Sequence, residues 1–149
     1  MSYWRFAAMI ATSTVVMFGL MYLNTYALDH VFWSETRAWM AFFMGAAMAA
    51  VMLGFMWSMY RRPALNALIL AASALVFATA LWLVRSQATV DEVDYMKAMI
   101  PHHSIAIMTS RRAAISDPRV RELADGIVAA QEREIAEMKA LIDELEQQD

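Results

Sequence analysis

The chain contains no cysteine, so disulfides and thiolate metal sites are excluded. Any soft-metal chemistry must come from thioether or imidazole. Glycine and proline are scarce, four and three in 149 residues. No glycine-rich phosphate loop, no GxSxG segment and no repeat of solenoid period is present. Charge is missing from three long stretches: residues 6–28 between Arg5 and Asp29, 38–60 between Arg37 and Arg61, and 63–84 between Arg62 and Arg85. Each exceeds the roughly 20 residues a helix needs to cross about 30 Å of hydrocarbon. A single helix satisfies all of its backbone groups internally, which lipid requires.

The rest of the composition agrees. The chain is 60% hydrophobic, too apolar for an ordinary soluble domain of this size. Three transmembrane helices are therefore expected, at about 6–28, 38–60 and 63–85, forming a domain over residues 1–87. The first run is longer than the apolar core of a signal peptide and has no small-x-small cleavage site before Asp29. Residues 1–85 carry five basic and two acidic groups, and residues 86–149 carry seven and thirteen. The acidic tail suits cations and disfavours nucleic acid. Arg61-Arg62 in a tight turn marks the cytoplasmic side, and Arg5 puts the N-terminus there too. The loop Asp29–Arg37 and everything after Arg85 then lie outside.

Residues 88–149 read as a second, all-helical domain. Thr89 and Glu92 form a capping box, and a helix is expected from about Val90 to Ala114. Pro101 cannot donate to the Lys97 carbonyl, which predicts a kink. Asp117-Pro118 caps and opens a last helix running to Glu146. Its apolar positions Val120, Leu123, Ile127, Ala130, Met138, Leu141 and Leu145 recur at helical spacing and are the expected core face. A lone two-helix hairpin of this size buries too little to be stable. A homo-oligomer is expected, two copies making a four-helix bundle.

Methionine is the compositional anomaly, with fourteen residues. Met40, Met44, Met48, Met52 and Met56 recur every four residues in the second span. Thioether sulfur suits Cu(I), so Met40 and Met44 are weak ligand candidates; the competing reading is flexible packing. The tail has a sharper grouping in Met96, Met99, His102, His103 and Met108. Met96, Met99 and His103 share a helix face, and His102 lies about 100° away. Gln131, Glu134 and Met138 share a face of the last helix. A closed hairpin would bring a Met/His face to a Gln/Glu/Met face. This is a metal-ligand pool of Met96, Met99, His102, His103, Met108, Glu134 and Met138, with Asp94, Gln131 and His30 as weaker members. The donors favour copper over zinc, with Cu(I) preferring Met and His and ahead of Cu(II), which would prefer His with Glu134 or Asp94. In the outer loop, Asp29, His30 and Glu35 read as a further cation site or as anchoring and capping, with Ser34 as a candidate cap.

Met99-Ile100-x-His102-His103, followed on the next helix by Gln131-x-x-Glu134-Ile135-x-x-Met138, resembles the family known as domain of unknown function 305. Residues 90–146 carry the resemblance, and the first half, with its Met-rich second span, is similar to the membrane-anchored branch. The resemblance implies a ferritin-like helical bundle and a copper-associated, periplasmic or secreted protein. Many relatives contain two copies of the hairpin, and this chain has one. The expectation is a membrane-anchored copper-binding protein of the bacterial inner membrane, acting in buffering, trafficking or tolerance, with the bilayer, its own copies and copper-handling or membrane-complex proteins as partners. The alternative is a structural or adaptor protein whose hairpin is an oligomerisation module. An enzyme is not expected: the Glu-x-x-His pairs of diiron bundles are absent. No charge lies inside a span, which weakens a channel or transporter reading.

Overall fold

The computed structural model describes residues 2–147. Among them are five α-helices, joined by turns and two 3₁₀ segments, and no strand. The chain divides into two compact units, residues 2–21 with 36–89, and residues 22–35 with 90–147.

The first unit holds α1 (Tyr3–Leu20), α2 (Glu35–Phe55) and α3 (Pro63–Ser86). All three are long and apolar enough to cross a membrane. Helix α1 ends at Leu20, eight residues short of the expected end, and its 18 residues rise about 27 Å. The residues beyond it are drawn out of helix by packing described below. Small residues let α2 approach α1. Ala41, Gly45 and Ala49 are buried at four-residue spacing, and a Cβ on Gly45 would collide with the Thr14 hydroxyl and lie 3.3 Å from its Cβ. The turn before α3 is held by Asn66, buried on α3. Its amide donates to the Tyr60 carbonyl at 2.9 Å, and its oxygen accepts from the Tyr3 hydroxyl at 2.8 Å. Phe6, Ala49, Leu53 and Tyr60 form the core there, with Met52 and Met56 packed against it. Helix α3 stops at Gln87, which takes a left-handed φ of 53° while its side-chain amide donates to the Val84 carbonyl.

The second unit is built on α4 (Glu92–Arg112) and α5 (Pro118–Glu146). Asp91, not Thr89, caps α4, accepting from the Asp94 N–H at 2.8 Å; Thr89 lies in the turn that follows α3. Helix α4 is continuous through Pro101, whose ring is buried. Asp117 caps α5 as the sequence predicts, with Pro118 in its first turn. The two helices meet along Met96, Ile100 and Ile107 of α4 and Val128, Ile135 and Ile142 of α5. This corrects the expected core face. Val120, Leu123, Ile127 and Leu141 are exposed, while Ala124, Val128, Ile135 and Ile142 are buried. Helix α5 carries two adjacent apolar stripes, and α4 covers the second. Met138 and Leu145 lie between them and pack partly on the core.

Residues 22–35, expected partly as span and partly as free loop, dock on this pair. The Tyr26 N–H donates to the buried Ser104 hydroxyl at 2.7 Å, and His30 Nδ1 lies 2.9 Å from the same oxygen. Asp29 accepts from Lys139 of α5 at 2.7 Å, and Phe32 packs against the core. Ser34 is buried with its N–H donated to the Tyr22 hydroxyl at 3.1 Å. Desolvation lowers the His30 pKa from its ordinary 6.5, with Lys139 acting in the same direction and Asp29 and Glu132 opposing. The Lys139 hydrogen bond lowers that of Asp29.

Two outcomes follow from this packing. Gly45→Leu forces α1 and α2 apart and destabilises the helical unit in detergent by about 1–3 kcal/mol, read by thermal unfolding, and Thr14→Ala recovers part of the loss. For the docked segment, neutral His30 is the favoured form, so its contribution is complete above pH 6.5 and declines as pH falls through 6.5 toward the depressed value. Exchange of the Tyr26 amide, corrected for the intrinsic pH dependence of amide exchange and followed by mass spectrometry, should accelerate on acidification from about pH 7.5 to 5.5. Ser104→Val should accelerate it at every pH, by about 1–3 kcal/mol of lost protection.

Candidate functional site

Helix α4 turns its Met96, Ile100, Ser104 and Ile107 face inward. His103, one position before Ser104, is thereby set at the edge of that face, beside α5. Its Nδ1 lies 3.0 Å from the Met99 carbonyl oxygen, and its Nε2 lies 2.7 Å from Glu134 Oε2. The Gln131 amide donates to the same carboxylate oxygen at 3.3 Å. The imidazole is 13% exposed and the carboxylate 50%, so the pair opens to water on the Glu134 side. A carbonyl only accepts, so the Met99 oxygen places a proton on Nδ1. Nε2 faces a carboxylate oxygen that likewise accepts, so their 2.7 Å contact needs a second proton between them. The Nδ1 contact is how metal-ligating histidines are oriented, with the far nitrogen donating to a carbonyl.

The other expected ligands divide sharply. Met99 stands on the same side of α4 as His103. Met138, one turn beyond Glu134, is half-buried against the core. Met96 is 7% exposed inside the Ile100–Ile135 core, where its thioether serves packing. His102 is exposed, its ring 6.3 Å from that of His103 and turned about 100° around the helix. Met108 lies about 140° around α4 from His103, and Asp94 about 180°. Burial and the carboxylates of Asp91 and Glu35 raise the Asp94 pKa. His30 is engaged by Ser104, with Asp29 at 4.0 Å. Met40 and Met44 are half-buried on α2, in the other unit.

The arrangement therefore gathers imidazole and carboxylate. Among the described residues no three His, Asp or Glu side chains come together. Imidazole and carboxylate are donor types that copper accepts, and Nε2 and Glu134 Oε2 converge, but one chain supplies two strong donors where three or four are usual. Sequence reasoning missed Ser104, the hydroxyl on which the docked segment turns. Its only signal is a polar residue at core spacing between Ile100 and Ile107.

Comparison with known proteins adds partial similarities without a mechanism. An uncharacterized protein of Acanthamoeba polyphaga mimivirus is 43% identical over 63 residues, which cover 41% of this chain and 41% of that protein. The match thus spans about two fifths of that relative's length. No solved structure matches the chain. Residues 79–149 match the family model described as Domain of unknown function (DUF305).

Proposed function

We propose that the chain is a membrane-anchored copper-binding protein that buffers or relays copper at the periplasmic face of the bacterial inner membrane. The observation that carries this reading is the His103–Glu134 pair, with Nδ1 committed to a backbone carbonyl and Nε2 turned to a carboxylate. Metal binding at Nε2 would displace a proton that the pair otherwise shares. With Met96 packed in the core, imidazole and carboxylate dominate the pool, a set that suits Cu(II). Met99 and Met138 supply the softer donors that Cu(I) prefers. Arg5, Arg61 and Arg62 support a cytoplasmic N-terminus, and an odd number of candidate spans supports a helical hairpin on the opposite side. The acidic tail raises local cation concentration there.

The burial of Met96 favours a second reading, in which the Met/His face is packing and the hairpin is an oligomerisation or adaptor module. Copper titration of the full chain in detergent separates the two. His103→Ala should weaken binding by at least about tenfold, and Met96→Leu should leave it unchanged while costing less than about 1.5 kcal/mol of stability. Equal affinity and stoichiometry in wild type and His103→Ala would remove the copper reading. A change in assembly or melting alone, with no response to copper, would establish the adaptor.

A further inference from the structure

The exposed stripe of α5 and the incomplete metal pair occupy the same place. Val120, Ile127, Glu134 and Leu141 follow one another at intervals of seven, and Leu123 lies between the first two on the same side. The four apolar members are 38–65% exposed. A seven-residue apolar repeat is the pattern of a helix seam, and α4 does not fill it, because α4 lies on the neighbouring stripe. Glu134 is the one charged residue in the repeat. It stands where a seam would carry an apolar side chain, and it is already turned to His103.

We propose that a second copy of this chain covers this stripe, and that one copper ion is held between two His103–Glu134 pairs, one from each copy. The inference rests on the copper reading above. A two-fold contact is self-complementary, so a stripe that meets its own copy at Glu134 brings both pairs together in one step. Two imidazoles and two carboxylates then supply the four donors that a single chain lacks. The same contact turns two helix pairs into four packed helices and removes the exposed leucines, valine and isoleucine from water. Without metal, closure withdraws two polar His103–Glu134 pairs from water with no new partner, which opposes it. Copper replaces that cost with shared coordination, so binding and assembly are linked. An unrelated protein partner would cover the stripe but would not by symmetry deliver the missing donors.

The test is a Cu(II) titration of the full chain in detergent micelles, with mass followed by native mass spectrometry. Wild type should saturate at one copper per two chains and shift to the dimer as it does so. Leu123→Glu lies on the stripe, is not a ligand, and replaces a residue that is 65% exposed; it should keep its helical content by circular dichroism. It should lose the half-equivalent break and bind copper at least tenfold more weakly. Saturation at one copper per chain, equal in wild type and Leu123→Glu, would overturn the shared site and leave the copper reading intact. No saturation at any ratio would overturn both.

Discussion

Ile100, Pro101, Ser104 and Ile107 are almost wholly withdrawn from water, and the second unit depends on that strip of α4. One side of it meets Val128, Ile135 and Ile142 of α5, and Ser104 receives the segment 22–35 through Tyr26 and His30. The strip must be apolar to hold α5, yet needs one hydroxyl to satisfy a backbone N–H that docking removes from water. Serine is small enough to admit the approaching chain and polar enough to pair with it. His103 inherits its position from this arrangement, since its neighbour in sequence is anchored inward and the ring is left at the seam beside Glu134.

The two units are stabilised by different means. Among α1, α2 and α3, side chains are mostly exposed and apolar, and tight contacts include the small residues around Gly45, the Phe6–Leu53 core and the Asn66–Tyr60–Tyr3 corner. That is the pattern expected of helices long and apolar enough to cross a membrane. The α4–α5 unit instead has a thin core fringed by ion pairs, such as Lys97 with Glu146 and Arg111 with Glu132. Exposed pairs of this kind add little stability. The exposed apolar stripe on α5 is a reserve of burial that this unit has left.

Much of this was legible before any coordinates. Uncharged runs bounded by Arg5, Arg37, Arg61, Arg62 and Arg85 are enough to specify three apolar helices, and Asp117-Pro118 marks the start of α5 to the residue. The beginning of α4 was displaced by two residues because Thr89 and Asp91 both have capping chemistry, and only the turn after α3 decides between them. Helical spacing put His103 and Glu134 on faces that a closed hairpin could bring together, and the contact itself is seen only in the folded pair. Met108 and Asp94 were harder to exclude, because a list of donors at plausible intervals does not say which side of α4 meets α5.

The sequence by itself determined where chain can be helical and which residue types are available to a metal, because hydropathy, capping and the absence of cysteine are local properties. Tertiary structure alone decided which of two apolar stripes on α5 became core, why α1 stops at Leu20, and that Met96 packs while His103 pairs. Those outcomes depend on which surfaces meet. Two stripes of nearly equal hydrophobicity on one helix cannot be ranked until a partner helix with its own shape, here α4 with Ile100 and Ile107, selects one of them.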